Sequence, residues 1–396
     1  MRFTQGYAAS PHCSPTRGSI LTGQYPHRLH ITSWIGGRKR TEYENLRLPT
    51  QRNFLPVELE TLGEYFQARG FQTVQLGKWH LGRGPGHPRN HGFDTVIGWT
   101  DGAGPGGPSD WFGPYPKLRN LTGPPEEYIT DRLTDEAIEF LETRGSDPFL
   151  MLFQHYDVHA PLSAPEEMVD RYVAQGRPRS EGRENATFLA MKEAFDRSFG
   201  RLEATLQRLG LAENTIVIVT SDNGGVSYFA NNGPLRGGKK EFFEGGIRVP
   251  LMIRVPGMTE AGSVSEVPVS TIDFFPTVSE LIGESPASLP AVMDGVSIVP
   301  ALRGESSVPR ETLYWHQPLY ARDYADIPPQ GVVMHQGWKL IQFYGETRPT
   351  QLFYLPDDLS EQTNLAAQHP EIVERMQQML ESHLQATDAQ RVVVAE

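Results

Sequence analysis

Phe188, Met191, Phe195, Phe199, Leu202 and Leu206 repeat at helical spacing for about five turns. Past Gly210 the period changes and the β-branched run Thr215 to Thr220 begins. A change of period with glycine at the joint marks a helix running into a strand. The same sequence recurs upstream. Leu62 to Arg69 reads as a helix stopped by Gly70, followed by a strand over Phe71 to Leu76. Leu133, Ala137, Ile138 and Leu141 mark a helical face ahead of Pro148 and the run Phe149 to Phe153. Helix followed by apolar strand, repeated, predicts an α/β fold, a mainly parallel or mixed sheet sandwiched by helices. Ligands of such sheets sit beyond the carboxyl ends of the strands. Polar residues at those ends are therefore the ones to examine for chemistry.

From about residue 305 the texture changes. Thr312 to His316, Val332 to His335, Trp338 to Tyr344 and Leu352 to Tyr354 read as short strands. A helix over Pro370 to His383 follows, with Ile372, Val373, Met376, Met379 and Leu380 on one face. We therefore expect a large α/β domain over 1–304 and a small C-terminal α+β domain over 305–386, antiparallel sheet plus helix. A loose tail is expected over 387–396.

Charge and cysteine content remove whole classes of function. Lys plus Arg minus Asp plus Glu is 36 − 48 = −12, and duplex nucleic acid or an anionic membrane surface would need a basic footprint. No apolar run approaches the roughly 20 residues of a membrane span. A single cysteine excludes an intrachain disulfide and a cysteine zinc cage. The opening Met-Arg-Phe-Thr-Gln-Gly-Tyr lacks the apolar stretch of a signal peptide.

That cysteine, Cys13, lies in Ser10-Pro11-His12-Cys13-Ser14-Pro15-Thr16-Arg17-Gly18. Ser14 reads as an N-cap and Pro15 as the first helical residue. Arg17 then falls in the first turn, where a cation opposes the helix dipole unless an anion occupies the site. A thiol just before such a terminus is reactive; a buried cysteine at a loop–helix junction is the equal alternative. Leu76 runs into Gly77-Lys78-Trp79-His80, and in extended chain Lys78 and His80 share a side. Phe153 leads to His155 and His159, either of which suits acid–base work, His155 equally a packed structural residue. Thr220 leads to Ser221-Asp222-Asn223-Gly224-Gly225, whose oxygens suit Ca²⁺ or Mg²⁺, although a plain turn reads the same. Lys239 or Lys240 could reach an anion from a glycine-flanked basic loop. Gly102 to Gly107 matches the dinucleotide-binding spacing, but Pro105, Pro108 and the missing helical face make it a loop.

Taken in order, these segments resemble the sulfatase family, the arylsulfatase-like branch of the alkaline phosphatase superfamily. Cys-x-Pro-x-Arg and a Thr-Gly turn stand at Cys13, Pro15, Arg17, Thr22 and Gly23. Gly-Lys-Trp-His-Leu-Gly stands at Gly77 to Gly82, and Ser-Asp-Asn-Gly-Gly at Ser221 to Gly225. Leu-Arg-Gly-Gly-Lys and Glu-Gly-Gly-Ile-Arg-Val-Pro stand at Leu235 to Lys239 and Glu244 to Pro250. Trp338-Lys339-Leu340 and Thr363-Asn364-Leu365 resemble the family's small domain.

The resemblance implies a sulfuric ester hydrolase. Its cysteine is converted by a formylglycine-generating maturation enzyme to an aldehyde. The hydrated aldehyde attacks sulfur, displaces the alcohol and then expels sulfate. Carried over, Cys13 is the nucleophile after conversion and Arg17 orients it. Lys78 and Lys239 hold sulfate oxygens, His80 is the base, and His159 protonates the leaving oxygen. Asp222 and Asn223, with the modified Cys13, bind a divalent cation, Ca²⁺ ahead of Mg²⁺. The substrate is a sulfated small molecule or a sulfated carbohydrate.

The chain departs from the pattern at its start. The family opens with a strand ending in paired aspartates that bind the same Ca²⁺, whereas here twelve residues precede Cys13. The expectation is an N-terminally truncated sulfatase. An upstream segment, if it exists, would imply a periplasmic or secreted protein. Two other readings are a phosphomonoesterase or phosphodiesterase of the same superfamily, and an inactive anion- or glycan-binding fragment. The first is disfavoured because those enzymes use Ser or Thr where Cys13 stands.

Overall fold

The expected strand over Phe71 to Leu76 forms at Gln72–Gly77 and is the centre of a three-stranded parallel sheet, between Thr95–Ile97 and Phe149–Gln154. The computed structural model describes residues 1–37, 41–322, 326–345 and 348–395. It divides into two compact units. One comprises Met1–Leu55, Val217–Gly225 and Asn232–Glu396; the other comprises Pro56–Ile216 and Val226–Asn231.

The parallel sheet belongs to the second unit. The central strand is buried along most of its length, whereas every residue of Phe149–Gln154 is only half-buried. Val74, Leu76 and Ala137 form one cluster. Leu133, Ile129, Met168, Ala190 and Met191 join Trp111 and Tyr128 in a larger one. The long helix is Ala186–Arg208, capped by Asn185, whose side chain accepts from Phe188 N at 3.0 Å. It lies against the helix Ile129–Thr143, and Thr134 Oγ1 meets Ser198 Oγ at 2.6 Å where they touch. The helix Leu62–Gln67 starts at a capping box made by Thr61 and Glu64. Gly102 to Gly107 is irregular, as its prolines require.

The first unit holds a mixed four-stranded sheet in the order Val264–Ser265, Arg2–Phe3, Leu251–Arg254, Val217–Thr220. Arg2–Phe3 runs parallel to the first and antiparallel to the third, and Val217–Thr220 is antiparallel to Leu251–Arg254. A second four-stranded sheet in this unit is the predicted antiparallel one, ordered Thr312–Gln317, Gln330–His335, Trp338–Phe343, Gln351–Tyr354. The helix Pro370–Ala386 covers one face, setting Met376, Leu380 and Leu384 on Val333, Leu340 and Leu352. Tyr7, Phe242, Ile247, Trp315 and Ile341 fill the opposite face. Within the segment read as a tail, Val393–Val394 pairs antiparallel with Leu46–Arg47. Among the described residues no helix is long and apolar enough to cross a membrane.

Candidate active site

The helix that carries the cysteine runs Cys13–Thr22, with His12 as its N-cap in extended conformation and no side-chain cap bond. It begins two residues before the position read from Ser14 and Pro15. The first amides of a helix have no intrahelical acceptor, so proline costs little anywhere in the first turn. Ser14 Oγ is used elsewhere, accepting from Ile35 N at 3.0 Å. Thr16 Oγ1 fixes the entry by donating to Ser10 O and His12 O at 3.0 and 3.1 Å. Cys13 is thus the first helical residue, buried, and Arg17 follows one turn later, 6% exposed.

A buried guanidinium near a helix start needs an anion. Arg17 Nε donates to Asp222 Oδ2 at 2.7 Å. Asp222 stands two residues past the end of the strand Val217–Thr220. The next residues are tied down by backbone. Gly224 N donates to Gly246 O at 2.9 Å, and Lys239 N to Gly225 O at 3.0 Å. Lys240 N donates to Pro11 O at 2.9 Å, two residues before Cys13. The first unit therefore brings together Cys13, Arg17, Asp222, Asn223 and the Lys239 backbone from three stretches of chain. Sequence reasoning missed Trp34, over whose ring Lys240 Nζ lies at 4.9 Å, with the His12 ring 5.2 Å away. A tryptophan in a short segment with one other large apolar residue, Thr32 to Gly37, was the available signal.

A divalent cation is tested by the donors on offer. Asn223 Oδ1 is buried without a hydrogen-bond partner, and its amide nitrogen donates to Gly224 O at 3.0 Å. An orphaned carbonyl oxygen next in sequence to a carboxylate is a pair of hard donors, and fits Ca²⁺ or Mg²⁺ as part of a shell. Ca²⁺ takes about 6–8 oxygens, which two residues do not complete. Among the described residues no group of three or more His, Cys, Asp or Glu is arranged to hold a metal.

In the second unit the strand stops at Gly77. A Cβ there would lie 2.2 Å from Gln154 O, and its φ of 81° is in the region that favours glycine. Lys78 N donates to Gln154 O at 2.8 Å. His80 also has positive φ, 58°, so the two-residue alternation of extended chain does not carry across Lys78 to His80. Both side chains are nearly fully buried, 3% and 1% exposed. Trp79 anchors between them, its Nε1 donating to Gly86 O at 2.6 Å. His159 Nδ1 lies 2.6 Å from Ala160 O. A carbonyl only accepts, so Nδ1 donates to it. His155 is the structural histidine. It stacks on Phe153, meets Ser198 Oγ at 2.9 Å, and is pushed down to about 3 by burial.

A family profile described as Sulfatase matches residues 1–284, and one described as N-sulphoglucosamine sulphohydrolase, C-terminal, matches residues 238–390. N-acetylgalactosamine-6-sulfatase of Mus musculus is 32% identical over 349 residues, covering 80% of this chain and 62% of the relative. The chain thus spans less than two thirds of that protein's length. A sulfatase of Formosa agariphila is 29% identical over 423 residues, covering 91% of this chain and 76% of its own. The crystal structure of Ps i-CgsB in complex with k-i-k-neocarrahexaose superposes with a TM-score of 0.77 at 27% identity, covering 96% of this chain and 84% of that one.

Proposed function

We propose that this chain, which belongs to the sulfatase family, hydrolyses the sulfate ester of a sulfated carbohydrate, using a formylglycine formed from Cys13 by a maturation enzyme. The observation that carries it is the buried first turn of the Cys13 helix, with Arg17 fixed on Asp222 one turn along. The carbohydrate class is supported by the relatives, one an N-acetylgalactosamine-6-sulfatase and one solved with a neocarrahexaose.

The chain's own groups have distinct tasks in this reading. The helix start offers a positive dipole end to a tetrahedral anion. Arg17, held by Asp222, keeps a rigid planar cation beside residue 13. Lys239, anchored through its backbone to Gly225, adds positive charge where negative charge develops on the sulfate oxygens. Lys78 has the same task by its motif. His80 accepts a proton, and His159 gives one to the leaving oxygen from Nε2. When present, formylglycine supplies an oxygen nucleophile after hydration. Asp222 and Asn223 would hold Ca²⁺, or Mg²⁺, which would polarise the sulfate oxygens as a Lewis acid.

The test is co-production with a formylglycine-generating enzyme. Peptide mass spectrometry and hydrazide labelling should find residue 13 as the aldehyde, and turnover of an aryl sulfate should vanish in Cys13→Ala. An unmodified Cys13 under those conditions refutes the covalent reading.

A further inference from the structure

Lys339 sits on the strand Trp338–Phe343 and has no solvent exposure at all. Its Nζ lies 2.8 Å from Glu244 Oε1 and 2.9 Å from Glu361 Oε1, and both carboxylates are equally buried. Glu244 Oε2 accepts from Tyr7 OH at 2.9 Å and lies 3.3 Å from an Arg248 nitrogen. Glu361 Oε2 accepts from Glu244 N at 2.7 Å, and Glu361 O from Arg236 Nη1 at 2.7 Å. Two cations thus face two carboxylates, and the formal charges cancel inside the core. Burial alone would lower the Lys339 amine, but Glu244 and Glu361 overrule it and hold it above its ordinary value.

Such a cluster is weak evidence for stability, because apolar residues of the same volume often do as well. Its geometry has a more specific consequence. Glu244 opens the turn Glu244–Ile247. Gly246 O of that turn accepts from Gly224 N, and Gly245 N donates to Arg236 O at 2.8 Å. The turn that Lys339 clamps therefore carries the backbone next to Asn223 on one side and the loop leading to Lys239 on the other.

We propose that Lys339 is a positioning residue: by holding Glu244 and Glu361 together it fixes the Glu244–Ile247 turn, and so holds Asn223 in place for the cation and Lys239 for the anionic ligand. The inference rests on the reading above that these two residues serve the sulfate site. It goes further in giving the C-terminal sheet a part in presenting them.

Hydrogen exchange followed by mass spectrometry tests it on the full chain. In Lys339→Met, peptides spanning 221–226 and 236–248 should exchange about tenfold faster or more, while the helix Pro370–Ala386, on the opposite face of the same sheet, keeps its wild-type rates. Inorganic sulfate, used as the probe, should bind at least several-fold more weakly. Glu361→Gln keeps an acceptor for Glu244 N but loses the charge. It should show the same pattern more mildly, and it carries the test if Lys339→Met does not fold. Unchanged protection at 221–226 and 236–248, or loosening spread evenly over the first unit, overturns the proposal. Protection needs no turnover, so a wild-type chain that fails to cleave sulfate esters refutes the proposed reaction and leaves this coupling measurable.

Discussion

His316 is a titratable group whose cost can be worked out from its surroundings. It is 4% exposed, with Nδ1 2.6 Å from Tyr344 OH and Nε2 2.8 Å from Gln390 O. Gln390 O only accepts, so the proton sits on Nε2, and Tyr344 donates to Nδ1. Both nitrogens are satisfied in the neutral ring. Protonation would bury a charge near the Arg391 guanidinium. Burial, mainly, pushes the ring from 6.5 down to about 3. The folded value lies below the unfolded one, so the unfolded chain binds the proton first, and stability falls as pH drops below about 6.5. At about pH 5 the unfolded ring is nearly all protonated and the folded one is not. Some 1.5 pH units of the separation are then expressed, a loss of about 2 kcal/mol relative to pH 7.5. Chemical denaturation of wild type and His316→Gln at both pH values reads this out. The variant loses packing at every pH, so the quantity that matters is the difference in slope. Its stability should fall by about 2 kcal/mol less than wild type between the two pH values. Parallel pH dependences would refute the argument, because they would mean that the buried ring contributes no linked proton.

Four further outcomes are expected. Asn185→Ala removes the cap of Ala186–Arg208 and should cost about 1 kcal/mol in denaturant unfolding, while Asn185→Asp should cost much less. Gly77→Ala should cost more than about 2 kcal/mol, since its Cβ meets Gln154 O and its φ is positive. A normal melting temperature for that variant would contradict the backbone geometry. Arg17→Lys keeps the charge but loses the planar donor on Asp222, and kcat/KM for an aryl sulfate should drop at least about tenfold. Lowering the pH to about 4 should also begin to protonate His383, held down to about 4 chiefly by burial, and loosen its 2.8 Å contact with His27. Faster exchange of the helix Pro370–Ala386 at that pH is the measure.

The long helix and the strands around it were readable because one periodicity governed each. Phe188 to Leu206 and Thr215 to Thr220 landed on Ala186–Arg208 and Val217–Thr220, with ends moved by two residues. The start of the Cys13 helix is not fixed by its proline. A first turn tolerates it at several positions, and Ser14 spends its hydroxyl on Ile35 rather than on a cap. Strand partners were less legible. Arg2–Phe3 pairs with residues some 250 positions away, and two residues carry no pattern from which to infer that.

The same contrast separates the parts of the site. Gly224 and Gly245 could be picked out as motif residues because backbone meets backbone there. A Cβ on Gly224 would lie 1.9 Å from Gly245 O, and only glycine fits. Steric exclusion of that kind writes itself into single positions. Lys339 leaves a fainter trace, a cation between Trp338 and Leu340 on an apolar strand. Its meaning depends on Glu244 and Glu361, which the chain supplies from a short helical turn and a loop. A buried charge can be suspected from one strand, but its partner is fixed by tertiary pairing. It follows that the glycine-bearing motifs of a chain like this are legible well before the buried charges packed behind them, and that the latter are found by tracing which of them share a turn with the former.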